Sequence, residues 1–85
     1  MGITITVDVP VGATPESVLK VKLRAARNVA GITQAELGKR IGEYLKMPAL
    51  DGNRVFHWEA TGNIPAVYLG AIAESLGVEF EFFKI

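Results

Sequence analysis

Gly31-Ile32-Thr33-Gln34-Ala35-Glu36-Leu37-Gly38-Lys39-Arg40-Ile41-Gly42 is the stretch on which the fold turns. Thr33 and Glu36 have the spacing of a capping box, in which the threonine hydroxyl accepts the Glu36 amide proton and the glutamate reaches back to the Thr33 amide. Gly31, just upstream, suits the end of a preceding helix. Leu37 and Ile41 stand one turn apart and give the new helix a buried side. Gly38 lacks the side chain that would hold a crossing helix away, and Gly42 is a candidate end. The stretch predicts a helix entered through a tight turn and crossed closely by a second one.

Toward the amino terminus, Thr14-Pro15-Glu16 reads as a helix start: a capping hydroxyl, a proline in the first turn and an acid at the positive end. Val18, Val21, Leu23, Ala25, Ala26 and Val29 then give an apolar stripe that ends at Gly31. Residues 3–9 alternate apolar and polar and are rich in β-branched side chains, which predicts a strand. Toward the carboxyl terminus, a third helix is expected from about Gly52 to Ala60 with Val55 and Trp58 inward. Gly62-Asn63-Ile64-Pro65 breaks the chain, and Pro65 opens a fourth helix carrying Val67, Leu69, Ile72, Ala73 and Leu76 up to Gly77. Residues 78–83 alternate again and predict a second strand.

The 85 residues fit one small domain, 1–85. Formal net charge is zero, yet its distribution is uneven. Lys20, Lys22, Arg24, Arg27, Lys39, Arg40, Lys46 and Arg54 face only Glu36, Glu43 and Asp51, so residues 20–54 carry +5 while the segments before and after carry −2 and −3. A basic block of this kind is either a solvated helix face or the footprint of a polyanion. Cysteine is absent and histidine occurs once, which leaves no thiolate or multi-histidine metal site. The amino-terminal residues lack the basic head and apolar run of a signal peptide, and no apolar stretch approaches the roughly 18 residues of a membrane span. A cytoplasmic protein with no membrane partner is the expectation.

The segment 31–42, the pattern Val55-Phe56-His57-Trp58-Glu59, and the closing pieces Ile64-Pro65 and Ile72-Ala73-Glu74-Ser75-Leu76-Gly77-Val78 together resemble the phage repressor and Cro-type (XRE-like) helix-turn-helix family. The resemblance covers roughly residues 18–80. It implies a mainly α, lambda-repressor-like bundle of four to five helices, here with short terminal β-strands, and a sequence-specific transcriptional regulator of phage or mobile-element type. In that family a second helix enters the major groove, which is wide enough to admit one. The resemblance places Thr33 and Gln34 against phosphate, at the positive end of their helix. It places Asn53 and His57 against base edges, and Arg54 against phosphate or guanine. Asn53 has a helix cap as its alternative. Phe56 points outward in this register and either meets a thymine methyl or, as is usual for an aromatic, packs on the 43–52 segment. Arg27 and Glu59 match an arginine–glutamate pair of part of the family and imply a partly buried ion pair between the first helix and the groove helix.

Two features depart from the family. Gly42 and Val55 are separated by twelve residues, more than the family places there. Either the helix through Leu37 and Ile41 runs on or the turn becomes a loop, and that loop, with Tyr44 and Lys46, is free to touch DNA backbone or a protein. The terminal strands are the second departure. Paired as a ribbon they would expose edges that invite a second chain, so a homodimer through these strands, with Phe80, Phe82 and Phe83 at the contact, is expected to read an inverted repeat of double-stranded DNA; a ribbon that only covers the domain's own core is the alternative. No cofactor, metal or catalytic residue is expected. Glu79 and Glu81 have strand spacing and read as a solvated face, not an acid–base pair. An antitoxin, or a protein-binding module that keeps the fold without touching DNA, is the competing expectation.

Overall fold

A computed structural model describes Ile5, Val7 and residues 11–83, and over these the protein is mainly α-helical. Helix α1 spans Pro15–Ala30, α2 spans Gln34–Leu45, α3 spans Gly52–Thr61 and α4 spans Ala66–Leu76; a 3-10 helix, Phe80–Phe83, closes the chain. No helix among the described residues is long and apolar enough to cross a membrane.

The helix ends follow from local chemistry. The Thr14 hydroxyl accepts the Ser17 amide at 3.2 Å and Pro15 occupies the first turn, so α1 begins with its orphan donors partly satisfied. Gly31, Gly62 and Gly77 adopt left-handed backbone at φ of 71°, 75° and 71° and end α1, α3 and α4. In the capping box, Thr33 Oγ1 accepts the Glu36 amide at 3.0 Å as expected. Glu36 turns the other way: its carboxylate accepts from Arg40 Nε at 3.0 Å, one turn along α2. An exposed pair at this spacing holds the carboxylate away from the amide behind it.

Gly42 does not end α2. The helix runs one turn further, to Leu45, and Lys46 takes the left-handed C-cap at φ 56°. Gly38 and Gly42 lie buried inside α2 for a different reason. A Cβ on Gly42 would come within 2.8 Å of the Pro48 carbonyl oxygen, and one on Gly38 would collide with the Leu50 carbonyl. The loop between α2 and α3 is therefore laid directly onto the α2 backbone, fastened by Met47 N–H to Gly42 O at 2.9 Å and Leu50 N–H to Gly38 O at 3.1 Å. The close approach of α2 and α3 lies one step away, at Gly52, where a Cβ would stand 3.2 Å from Ala35 Cα. The extra length between Gly42 and Val55 thus resolves into both expected forms: a longer helix and a short docked loop.

Leu23, Leu37, Ile41, Val55 and Ile72 are fully buried and bring all four helices to one core, with Trp58 stacked at a tilt on Tyr68 at 5.2 Å. From α1 the core takes Val18, Leu23 and Ala26; Val21 and Val29 of the expected stripe are exposed, as is Val67 at the start of α4.

The strand expected over 78–83 is not formed. The chain leaves α4 through a Gly77 turn, Val78 N–H bonds back to Ala73 O at 3.1 Å, and residues 80–83 coil as a 3-10 helix. A strand would send the adjacent Phe82 and Phe83 to opposite faces. Here Phe83 is buried, Phe82 is half-buried against the same core, and the two rings meet edge to face at 5.1 Å. Lys22 Nζ stands 5.5 Å from the Phe82 ring centre. One core lies beneath this segment, and coiling lets both rings reach it. The strand-mediated contact through Phe80, Phe82 and Phe83 is corrected with it: Phe83 belongs to the core of its own chain, and Phe80 alone of the three is exposed. The amino-terminal strand expected over 3–9 lies outside the described residues except for Ile5 and Val7, which are half-buried and in no regular element.

Candidate nucleic-acid interface

The centre of the candidate site is α3. Asp51 caps it, its carboxylate accepting the Asn53 amide at 2.8 Å. Asn53 is therefore the second residue inside the helix, and its alternative role as the cap falls to Asp51. At about 100° per residue, the buried Val55, Trp58 and Glu59 define the inner side of α3. Asn53, His57 and Ala60 form the outer stripe and are exposed. Arg54 and Phe56 occupy its two flanks. Arg54 leans toward α4, with Nη1 3.3 Å from the Tyr68 hydroxyl. Phe56 leans toward α1 and is 59% exposed. It lines a groove of about 260 Å³ with Arg24, Gln34, Glu59 and Ala60. The residues that line this groove with Phe56 come from α1, α2 and α3, and none comes from the 43–52 segment on which it was expected to pack.

The underside of the site is an ionic clasp. Arg27 Nε and Nη2 donate to the Glu59 carboxylate at 2.5 and 3.1 Å, and Arg27 Nη1 donates to the Ile32 carbonyl at 2.8 Å. Gln34 Nε2 donates to the same Glu59 carboxylate at 3.2 Å. Hydrogen bonding to Glu59 raises the Arg27 pKa above its ordinary value, against the opposing effect of burial. Among the described residues no buried side-chain nitrogen or oxygen lacks a partner. The ion pair expected between Arg27 and Glu59 is thus present, and it does more than join two helices. The Glu59 carboxylate ties the inner side of α3 to α1 and to the first residue of α2, and Arg27 reaches on to the α1–α2 turn. The cost of burying charge is met by the bidentate geometry and the added donors.

The structure brings Asn53, Phe56 and His57 onto one exposed helix, with Gln34 and Arg24 beside Phe56. Thr33 is exposed at the start of α2, its hydroxyl engaged as the cap. Gln34 is half-buried, and its amide is occupied by Glu59, so its expected phosphate contact is left to the backbone at the helix start. Arg24 and Ala60 were not singled out by sequence reasoning. Arg24 lies three residues before Arg27, hence on the side of α1 that meets α3, but that spacing does not single out Phe56 as its neighbour there.

A second, larger groove, about 660 Å³, lies among Tyr44, Gly70, Ala73, Glu74, Gly77, Val78, Glu79 and Phe80, with Tyr44 54% and Phe80 42% exposed. No protein-family model, curated protein or solved structure matches the chain.

Proposed function

We propose that the protein is a sequence-specific DNA-binding transcriptional regulator with a lambda-repressor-like helix-turn-helix, in which α2 and α3 form the helix pair and α3 enters the major groove. The observation that carries this reading is the division of α3 into two sides. Its inner side is locked by Val55, Trp58 and the Glu59 clasp, while Asn53, His57 and Ala60 project from a rigid outer stripe with no packing role. Asn53 has the donor and acceptor for bidentate bonding to adenine, and His57 can donate to guanine acceptors. Arg24 and Arg54 on the flanks supply cations where the phosphate walls of a groove would run. The α2 start, with the exposed Thr33, offers free backbone donors to a phosphate.

Two copies binding an inverted repeat, with half-sites about 34–36 Å apart, complete this reading. The carboxyl-terminal strand cannot supply their contact. The regulator needs no catalytic residue and no cofactor, and acts by occupying an operator. The test is selection from a random duplex pool, followed by a salt titration on the enriched sequence. Wild-type protein should enrich one site and lose on the order of 10³-fold or more in affinity between 50 and 200 mM salt. An Asn53→Ala/Arg54→Ala/His57→Ala variant should enrich none. Equal enrichment by both proteins would overturn the reading. The exposed Tyr44 and Phe80 beside the larger groove favour a second reading, a protein-binding module such as an antitoxin, for which neither salt nor these substitutions would matter.

A further inference from the structure

The polar outer stripe of α3 does not account for Phe56. A phenylalanine with more than half its surface in water, on a helix otherwise exposing polar or small residues, loses free energy without a partner. Among the described residues no segment covers it. Its surroundings are specific. Ala60, one turn along α3, extends the apolar surface of the ring. Arg24 stands across the groove on α1, and Gln34 and Glu59 close the floor, already committed to each other and to Arg27. The groove thus combines an apolar wall of Phe56 and Ala60 with one exposed cation on the opposite rim.

Resting on the proposed placement of α3 in a major groove, we infer that Phe56 and Ala60 form a contact for the 5-methyl group of a thymine, with Arg24 on a phosphate bordering the same groove. The chemistry is selective. Of the four bases only thymine shows an apolar group in the major groove, and it does so at the groove wall, where a flank residue and not a stripe residue arrives. An aromatic face recognises that methyl without hydrogen bonds, so the polar readout by Asn53 and the apolar readout by Phe56 are independent. A cation on the rim fits the same geometry, since phosphates border the groove on both sides.

The experiment uses the duplex enriched by selection, made once with thymine and once with deoxyuridine at every thymine, so that only 5-methyl groups are removed. Binding of wild-type protein and of the Phe56→Ala variant is measured on both by fluorescence anisotropy. Wild-type affinity should fall about fourfold for each methyl contacted, the effect of one buried carbon. Phe56→Ala should bind both duplexes alike, with a circular dichroism spectrum and melt like those of wild type, since Phe56 is not part of the core. Arg24→Ala should keep the preference for thymine and lower the salt slope by about one. Equal wild-type binding to both duplexes, with the steep salt dependence retained, would overturn the methyl contact and leave the regulator intact. A thymine preference that survives Phe56→Ala would move the contact elsewhere. Failure to bind any duplex would remove both.

Discussion

Substituting Glu59 tests whether the ionic clasp holds α3 in place. Glu59→Ala removes the acceptor for two Arg27 donors and for Gln34 Nε2, and leaves Arg27 with the Ile32 carbonyl alone. The pair is enclosed: the side chains of Arg27 and Glu59 are 14% and 4% exposed, so water cannot fully replace the lost carboxylate. Breaking a buried pair from one side costs about 3–5 kcal/mol. A chain of this length has on the order of 4–13 kcal/mol in total, so the variant should be severely destabilised, its melt falling by roughly 12 °C or more. Arg27→Met/Glu59→Leu removes both charges and keeps the volume; it should recover to within about 1 kcal/mol of wild type or exceed it. Urea denaturation reads both variants, followed by circular dichroism and by fluorescence of Trp58, the one tryptophan in the chain and a buried one. A Glu59→Ala loss below about 1 kcal/mol would show that the clasp is solvated and contributes little. A double variant as damaged as the single one would show that the cost is packing and not the orphaned charge.

Phe83→Ala should cost about 3–5 kcal/mol and Phe80→Ala, at a partly exposed position, only about 1–1.5 kcal/mol in urea denaturation, whereas a strand that buried residues 80 and 82 would reverse the order. Gly38→Ala should destabilise by about 1–3 kcal/mol, because its methyl meets loop backbone that cannot rotate away; an unchanged urea midpoint would contradict the docked loop. Lys46→Gly relieves a left-handed backbone at a non-glycine residue and should raise stability by roughly 0.5–1 kcal/mol in thermal melts. A lower melt would mean that the lysine side chain contributes more than its backbone costs.

The elements that could be read from sequence are those whose ends carry their own chemistry. Thr14-Pro15-Glu16, Thr33, Gly31 and Gly77 each mark a boundary through a local hydrogen bond or a left-handed turn, and the structure places boundaries there. Gly42 misled for a physical reason. A glycine that admits a passing backbone and one that ends a helix are the same letter, and only the position of the 48–50 loop separates them. The alternation across 78–83 misled likewise, since Phe82 and Phe83 both find the core once the chain coils. In the candidate site, Arg27 and Glu59 were paired through the family resemblance, and the outward register of Asn53 and His57 followed from Val55 and Trp58 facing inward. The second use of the Glu59 carboxylate, by Gln34, and the approach of Arg24 to Phe56 depend on how α1 and α2 sit on α3. No sequence spacing links residues 24, 34 and 56.

The seating of the 46–51 loop on bare α2 backbone separates two demands that usually compete in evolution. The pose of α3 is set by main-chain contacts at Gly38, Gly42 and Gly52 and by its inward residues, none of which lies on the outer stripe. Positions 53, 56, 57 and 60 can therefore drift to other side chains with little effect on whether the domain folds. A lineage built on this frame could change what it binds through single substitutions, each neutral to folding, without first accumulating compensating mutations in the core.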